Sequence, residues 1–124
     1  MRLEELYLSD IVEAADAIQK FLEGVQRERF LQDDLLRSAV LQKLTIIGEA
    51  AARLSMEFRE RHPEIEWADI VGFRNIAVHA YFTVEWPIVW VAATQETLEL
   101  RHMVADILVK EYPEPDIPDD SEEN

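Results

Sequence analysis

Four hydrogen-bonding side chains, Arg74, Asn75, His79 and Tyr81, lie close together in the run Arg74-Asn75-Ile76-Ala77-Val78-His79-Ala80-Tyr81, with apolar residues between them. Arginine carries a permanent charge on a planar fork that matches phosphate oxygens, and histidine exchanges a proton near neutral pH. Together they suit proton transfer beside a phosphate whose charge builds in the transition state. RNA supplies its own nucleophile, so a histidine taking the proton of a ribose 2′-OH needs no metal to break the strand. On a continuing helix Asn75 and His79 share a face, while Arg74 and His79 differ by about 140° and roughly 7.5 Å of rise. That places them near one another without superposing them. On residue types alone, however, an arginine and a histidine at helix ends are more often structural than catalytic.

Competing chemistries are scarce. There is no cysteine, which excludes a disulfide framework, a thiolate metal site and a cysteine nucleophile and fits a reducing compartment. Neither His62, beside a proline, nor His102 has a second histidine at ligand spacing, so no metal site is expected.

The elements that must position this segment follow from periodicity. Tyr7, Ile11, Ala15, Ile18 and Leu22 mark one face of a first helix from about Glu4 to Phe21, which Gly24 ends. Arg27, Glu28 and Arg29 read as a polar connection. A second helix begins near Asp33 and Asp34, acids placed at the positive end of its dipole. Leu36, Val40, Leu44, Ile47, Ala51, Leu54 and Phe58 carry its apolar stripe as far as Pro63, before which it must stop. A neighbouring row of Leu41, Thr45, Gly48, Ala52 and Ser55 is mostly small and permits close helix approach. A short third helix is expected from about Glu66 to Val78, with Arg74 continuing its apolar face. A fourth opens near Glu85, Trp86 and Pro87 and reaches about Val109. Ile88, Val91, Ala92, Leu98 and Ala105 extend its apolar surface beyond one stripe, which suggests a covering partner. The fold expected is all-α, an antiparallel four-helix up-and-down bundle in one domain, residues 1–110.

Length and composition agree with that reading. The chain has 124 residues, 48% of them hydrophobic, and only 3 glycines and 5 prolines, which suits long helices better than a turn-rich β fold. The N-terminus lacks the blocks of a signal peptide, and no uncharged run approaches membrane-spanning length, so a soluble cytoplasmic protein with no membrane partner is expected. The formal charge is −14, which opposes general affinity for nucleic acid. Part of it is segregated: Glu111, Glu114, Asp116, Asp119, Asp120, Glu122 and Glu123 give residues 111–124 an acidic tail without a single base, expected to be disordered.

The run from Arg74 to Tyr81 resembles the Arg-x4-His-x-Tyr motif of the HepT-like toxins of the HEPN superfamily, with Asn75 as the polar residue that often follows the arginine. Ile47-Gly48-Glu49-Ala50 is similar to the family's second-helix signature, Trp67 to the tryptophan before the motif and Trp90 to the one opening the last helix. The likeness covers roughly Leu3 to Leu108; the acidic tail and strong negative charge depart from it. It implies a HEPN four-helix bundle acting as a metal-independent endoribonuclease on tRNA or mRNA, without a cofactor. Arg74, Asn75 and His79 would be its catalytic residues, and a homodimer would bring two motifs to one cleft. It further implies the toxin half of a type VII-like toxin–antitoxin pair. The partner would be an MntA-like minimal nucleotidyltransferase that transfers AMP to the motif tyrosine, here Tyr81.

Other polar and aromatic residues have plainer readings. Glu49 is a candidate supporting acceptor for Arg74, because a carboxylate in an apolar stretch needs a partner; a solvent-facing role is the equal alternative. Trp67, Trp86 and Trp90 are assigned to packing. Arg27, Arg29, Arg53, Arg59 and Arg61 flank the second helix and could follow an RNA backbone, although solvated charge is the simpler reading. Two further readings of the whole chain stay open: a non-catalytic HEPN nucleotide-binding module, in which Arg74 and His79 hold a phosphate for a partner transferase, and a purely structural dimeric bundle.

Overall fold

The computed structural model of the chain describes residues 3–76 and 85–113. All secondary structure among them is helical: α1 (Leu3–Phe21), α2 (Arg27–Phe30), α3 (Asp34–Arg53), α4 (Met56–Arg61), α5 (Trp67–Val71), α6 (Trp86–Val91), a π-helical turn (Ala92–Glu96) and α7 (Thr97–Glu111). The long helices form the expected all-α bundle. Asp16 of α1 meets Arg101 of α7 at 2.9 Å, and Glu5 and Ser9 lie near Leu108 and Tyr112, so α1 runs antiparallel to α7. It also runs antiparallel to α3, since Tyr7 and Asp10 lie beside Thr45, Ala50 and Arg53.

The core draws Leu8, Ile11, Ala15 and Ile18 from α1, Val40, Leu44, Ile47 and Ala51 from α3, and Leu100 and Val104 from α7, all essentially inaccessible to water. Each set recurs at steps of three or four, as one face of a helix demands. Thr97 is buried among them because its hydroxyl donates back to the Ala93 carbonyl at 2.7 Å, which satisfies that group inside the core.

Three details correct the reading from periodicity. The stripe from Leu36 to Phe58 belongs to two helices. At Leu54 the backbone turns extended (ψ 141), and Ser55 then caps α4, its hydroxyl accepting from the Phe58 amide at 3.0 Å. Arg59 reaches back to donate to the Ala52 carbonyl at 2.8 Å, satisfying the broken end of α3. Leu54 and Phe58 are both buried, so the spacing survives the break that interrupts the helix. The connection at Arg27 to Arg29 is itself a helical turn, drawn inward by the fully buried Phe30. Glu111, counted above with the acidic tail, is the last residue of α7, and its carboxylate accepts from Arg61 at 3.0 Å and meets the ring of His62.

The start of α3 is placed as its acids suggest. Asp33 caps it, accepting from the Leu36 amide at 3.0 Å. Gly24, which follows α1, adopts φ 74, a left-handed conformation that favours glycine.

Candidate functional site

Arg74 lies in a short helical stretch, residues 73–76, that follows α5 after Gly72. The segment is fixed from both sides. Phe73 is buried, and the amides of Asn75 and Ile76 donate to the Gly72 carbonyl at 2.9 and 3.0 Å. On the other side it rests on Gly48 of α3. A Cβ built there would stand 2.6 Å from the Arg74 amide nitrogen and 3.0 Å from both the Arg74 Cβ and the Val71 carbonyl oxygen. The small-residue row of the second helix therefore does at Gly48 what its composition suggests: it lets a second backbone lie directly on α3.

Because Gly48 touches the Arg74 backbone, the next residue along α3 is within reach of its side chain. Glu49 Oε1 lies 3.5 Å from Arg74 Nη1, with the two side chains 48% and 40% exposed. The supporting carboxylate and the arginine are thus brought together. Among the described residues the guanidinium makes one long contact through one nitrogen, and breaking that half-exposed pair to engage a phosphate would strand no buried charge. Asn75 is exposed beside it. His79 and Tyr81, the other two members of the motif, lie outside the described residues.

The tryptophans are committed to packing. Trp67 is 6% exposed, meets Phe58 edge-on and donates its indole N–H to the His62 carbonyl at 3.0 Å. Trp86 is buried under the Arg37 guanidinium, and Trp90 packs on Phe30 with ring centroids 5.3 Å apart.

Most of the candidate backbone-following arginines are occupied as well. Arg29 pairs with Asp33, Arg59 holds the Ala52 carbonyl, and Arg61 is shared between Glu57 and Glu111. Arg27 and Arg53 differ: both are exposed, and no described residue pairs with either, but Arg53 alone of the two lies near Arg74. Arg53 stands one helical turn beyond Glu49, at the edge of a cleft of about 190 Å³ between α1 and α3. Tyr7 and Asp10 line that cleft from α1, and Ile46, Glu49 and Ala50 from α3. Tyr7 and Asp10 went unremarked as polar residues in the sequence. The available signal was their spacing of three on α1, matched by Glu49 and Arg53 spaced by four on α3.

Among the described residues no three His, Cys, Asp or Glu side chains group as metal ligands would, and no helix is long and apolar enough to cross a membrane. His62 has carboxylates of Glu64 and Glu111 on either side of its ring, at the far end of α7, where they tie that helix to α4.

Comparison with known proteins supplies the context. A family model described as ribonuclease HepT-like matches residues 11–107. A protein of Caldanaerobacter subterraneus subsp. tengcongensis, provisionally named an RNase, is 36% identical over 111 residues, covering 90% of this chain and 99% of its own length. The probable ribonuclease HepT of Thermococcus cleftensis is 36% identical over 95 residues, 77% of this chain and 86% of its own. A Methanocaldococcus jannaschii protein, also provisionally named an RNase, is 32% identical over 98 residues, 79% of this chain and 90% of its own. No solved structure matches the chain.

Proposed function

Since the chain belongs to the HepT-like ribonuclease family, we propose that it is an endoribonuclease that cuts RNA without a metal ion, using Arg74 and His79. The observation that carries this reading is the placement of Arg74. Its backbone is fixed against Gly48, and its guanidinium is exposed and only loosely held by Glu49. A charged fork fixed at its base and open at its tip is suited to a phosphodiester.

In the proposed reaction His79 accepts the proton of the ribose 2′-OH. The 2′ oxygen attacks the adjacent phosphorus in line, the bond to the 5′ oxygen breaks, and that oxygen takes a proton from solvent. The products are a 2′,3′-cyclic phosphate and a 5′-hydroxyl. Arg74 holds the non-bridging oxygens as their charge grows, and Asn75 adds a neutral donor beside it.

The same reading makes the protein the toxin of a toxin–antitoxin pair, working as a homodimer and silenced when a small nucleotidyltransferase moves AMP from ATP to the hydroxyl of Tyr81. Exposed apolar residues on α6, Ile88 at 53% and Val91 at 40%, offer surface for a second copy. Two motifs in one cleft would concentrate positive potential on a chain whose formal charge is −14, which answers the electrostatic objection locally.

The test is incubation of purified protein with total RNA in EDTA, beside His79→Ala and Arg74→Ala. Cleavage by the parent alone, leaving cyclic phosphate ends, is expected. Activity retained in His79→Ala, or lost from the parent on adding EDTA, overturns the mechanism.

A further inference from the structure

The cleft between α1 and α3, close to Arg74, contains chemistry that the proposed reaction does not use. Tyr7 packs against the core and lines the cleft, and Ile46, 36% exposed, gives it apolar surface. Among the described residues the side chains of Tyr7, Asp10 and Arg53 have no hydrogen bond or ion pair. Arg53 also faces a cleft lined by two carboxylates, Asp10 and Glu49, and pairs with neither. The cleft also adjoins the proposed reaction centre, because Glu49 forms part of its lining and contacts Arg74.

An aromatic ring, an apolar floor, a free guanidinium and a free carboxylate form the set that holds an unstacked nucleobase. We propose that this cleft is a base-recognition subsite for the nucleotide beside the scissile phosphate and that it selects guanine through Asp10. The inference rests on Arg74 standing at that phosphate. The Watson–Crick edge of guanine presents two adjacent donors, N1–H and N2–H, which match the two oxygens of one carboxylate. Adenine and cytosine each place a ring acceptor next to their single amino group, and uracil flanks its one N–H with two carbonyls, so each sets an acceptor against the carboxylate. Tyr7 and Ile46 would pack against the base, and Arg53 would hold the neighbouring backbone phosphate or the π face. The Asp10 carboxylate thus meets a base edge, where negative charge attracts, while Arg53 and Arg74 meet the phosphates.

Two measurements on the full chain test this: binding of guanosine and uridine 5′-monophosphates by NMR titration, and cleavage of oligoribonucleotides that differ only in guanine or uracil beside the cut. The parent should favour guanine about tenfold or more in both, as a paired hydrogen-bond contact to a base edge does. Asp10→Asn, nearly isosteric on a helix surface, should bring the ratio close to one, Asp10→Glu should restore much of it, and Tyr7→Leu should raise KM for both RNAs. A guanine-to-uracil ratio identical in the parent and Asp10→Asn overturns the subsite and leaves the cleavage reading standing. A parent that cuts no RNA but binds the guanine nucleotide in an Asp10-dependent way supports base recognition and overturns the cleavage reading. Absence of both overturns both.

Discussion

Gly48 and Arg74 are in backbone contact: a single methyl group on the glycine would fall 2.6 Å from the amide nitrogen of the arginine, closer than real Cβ atoms come. The catalytic candidate is therefore located by an absent side chain on another helix. Gly48→Ala should destabilise the fold by about 1–3 kcal/mol through overpacking, because backbone cannot swing aside as a side-chain tip can. It should also displace Arg74 and depress cleavage. Gly24→Ala serves as the control: it strains a left-handed turn far from Arg74 and meets no neighbouring atom, so it should cost about 1 kcal/mol while sparing activity. Urea denaturation and initial rates of RNA cleavage separate the two.

Arg74→Ala should leave the thermal transition nearly unchanged, since the side chain is 40% exposed and its ion pair with Glu49 is long. It should lower kcat on the order of 10²–10³-fold, the usual effect of removing a contact to transition-state charge. Arg74→Lys keeps the charge but loses the fork, and should fall between parent and alanine. Parent-like kcat in Arg74→Ala would contradict the assignment.

Glu49→Gln separates the two roles of the carboxylate. As a stabilising pair with Arg74 it is worth less than about 1 kcal/mol, so melting should barely move. As a negative charge where RNA must approach, its removal should lower KM, most at low salt, while looser seating of Arg74 lowers kcat. Kinetics at two ionic strengths would show the split; an unchanged kcat would mean that Arg74 needs no help in holding its position.

Tyr81→Phe should keep the fold and RNA cleavage but escape silencing by the transferase. AMP on that hydroxyl would bring a phosphate that can pair with Arg74 and a purine that fills the approach to it. Intact-mass spectrometry after incubation with transferase and ATP gives the answer. An adenylate mass absent from the parent, or equally present on the phenylalanine variant, would place control elsewhere.

The long helices were legible because their buried faces recur at three and four residues over many turns. For Glu49 the sequence allowed two readings, a partner of Arg74 or a solvent-facing charge, and the side chain lies 3.5 Å from Arg74 while 48% exposed. The break at Ser55 was concealed by that same recurrence. Leu54 and Phe58 sit four apart whether or not the helix between them is whole, so only the hydroxyl cap at Ser55 marked it. Phe30 shows the converse, a single buried ring turning a polar stretch into a helical turn. The cleft of Tyr7, Asp10 and Arg53 depends on how α1 and α3 face one another, which no local pattern encodes.

The π turn at Ala92–Glu96 is an α-helix carrying one surplus residue. The wide turn takes up that residue on the spot, so the helix beyond it keeps the phase of an unbroken α-helix. Excising one residue there would return the turn to its ordinary pitch and leave Arg101 on Asp16 and Glu111 on Arg61 and His62. Excising one between Val104 and Asp106, in the regular part of α7, would instead turn the remainder by about 100° and draw it back by about 1.5 Å, taking Glu111 from both partners. In this bundle the π turn is thus the slack of the last helix, the place where its length can change without a change of angle at its far end.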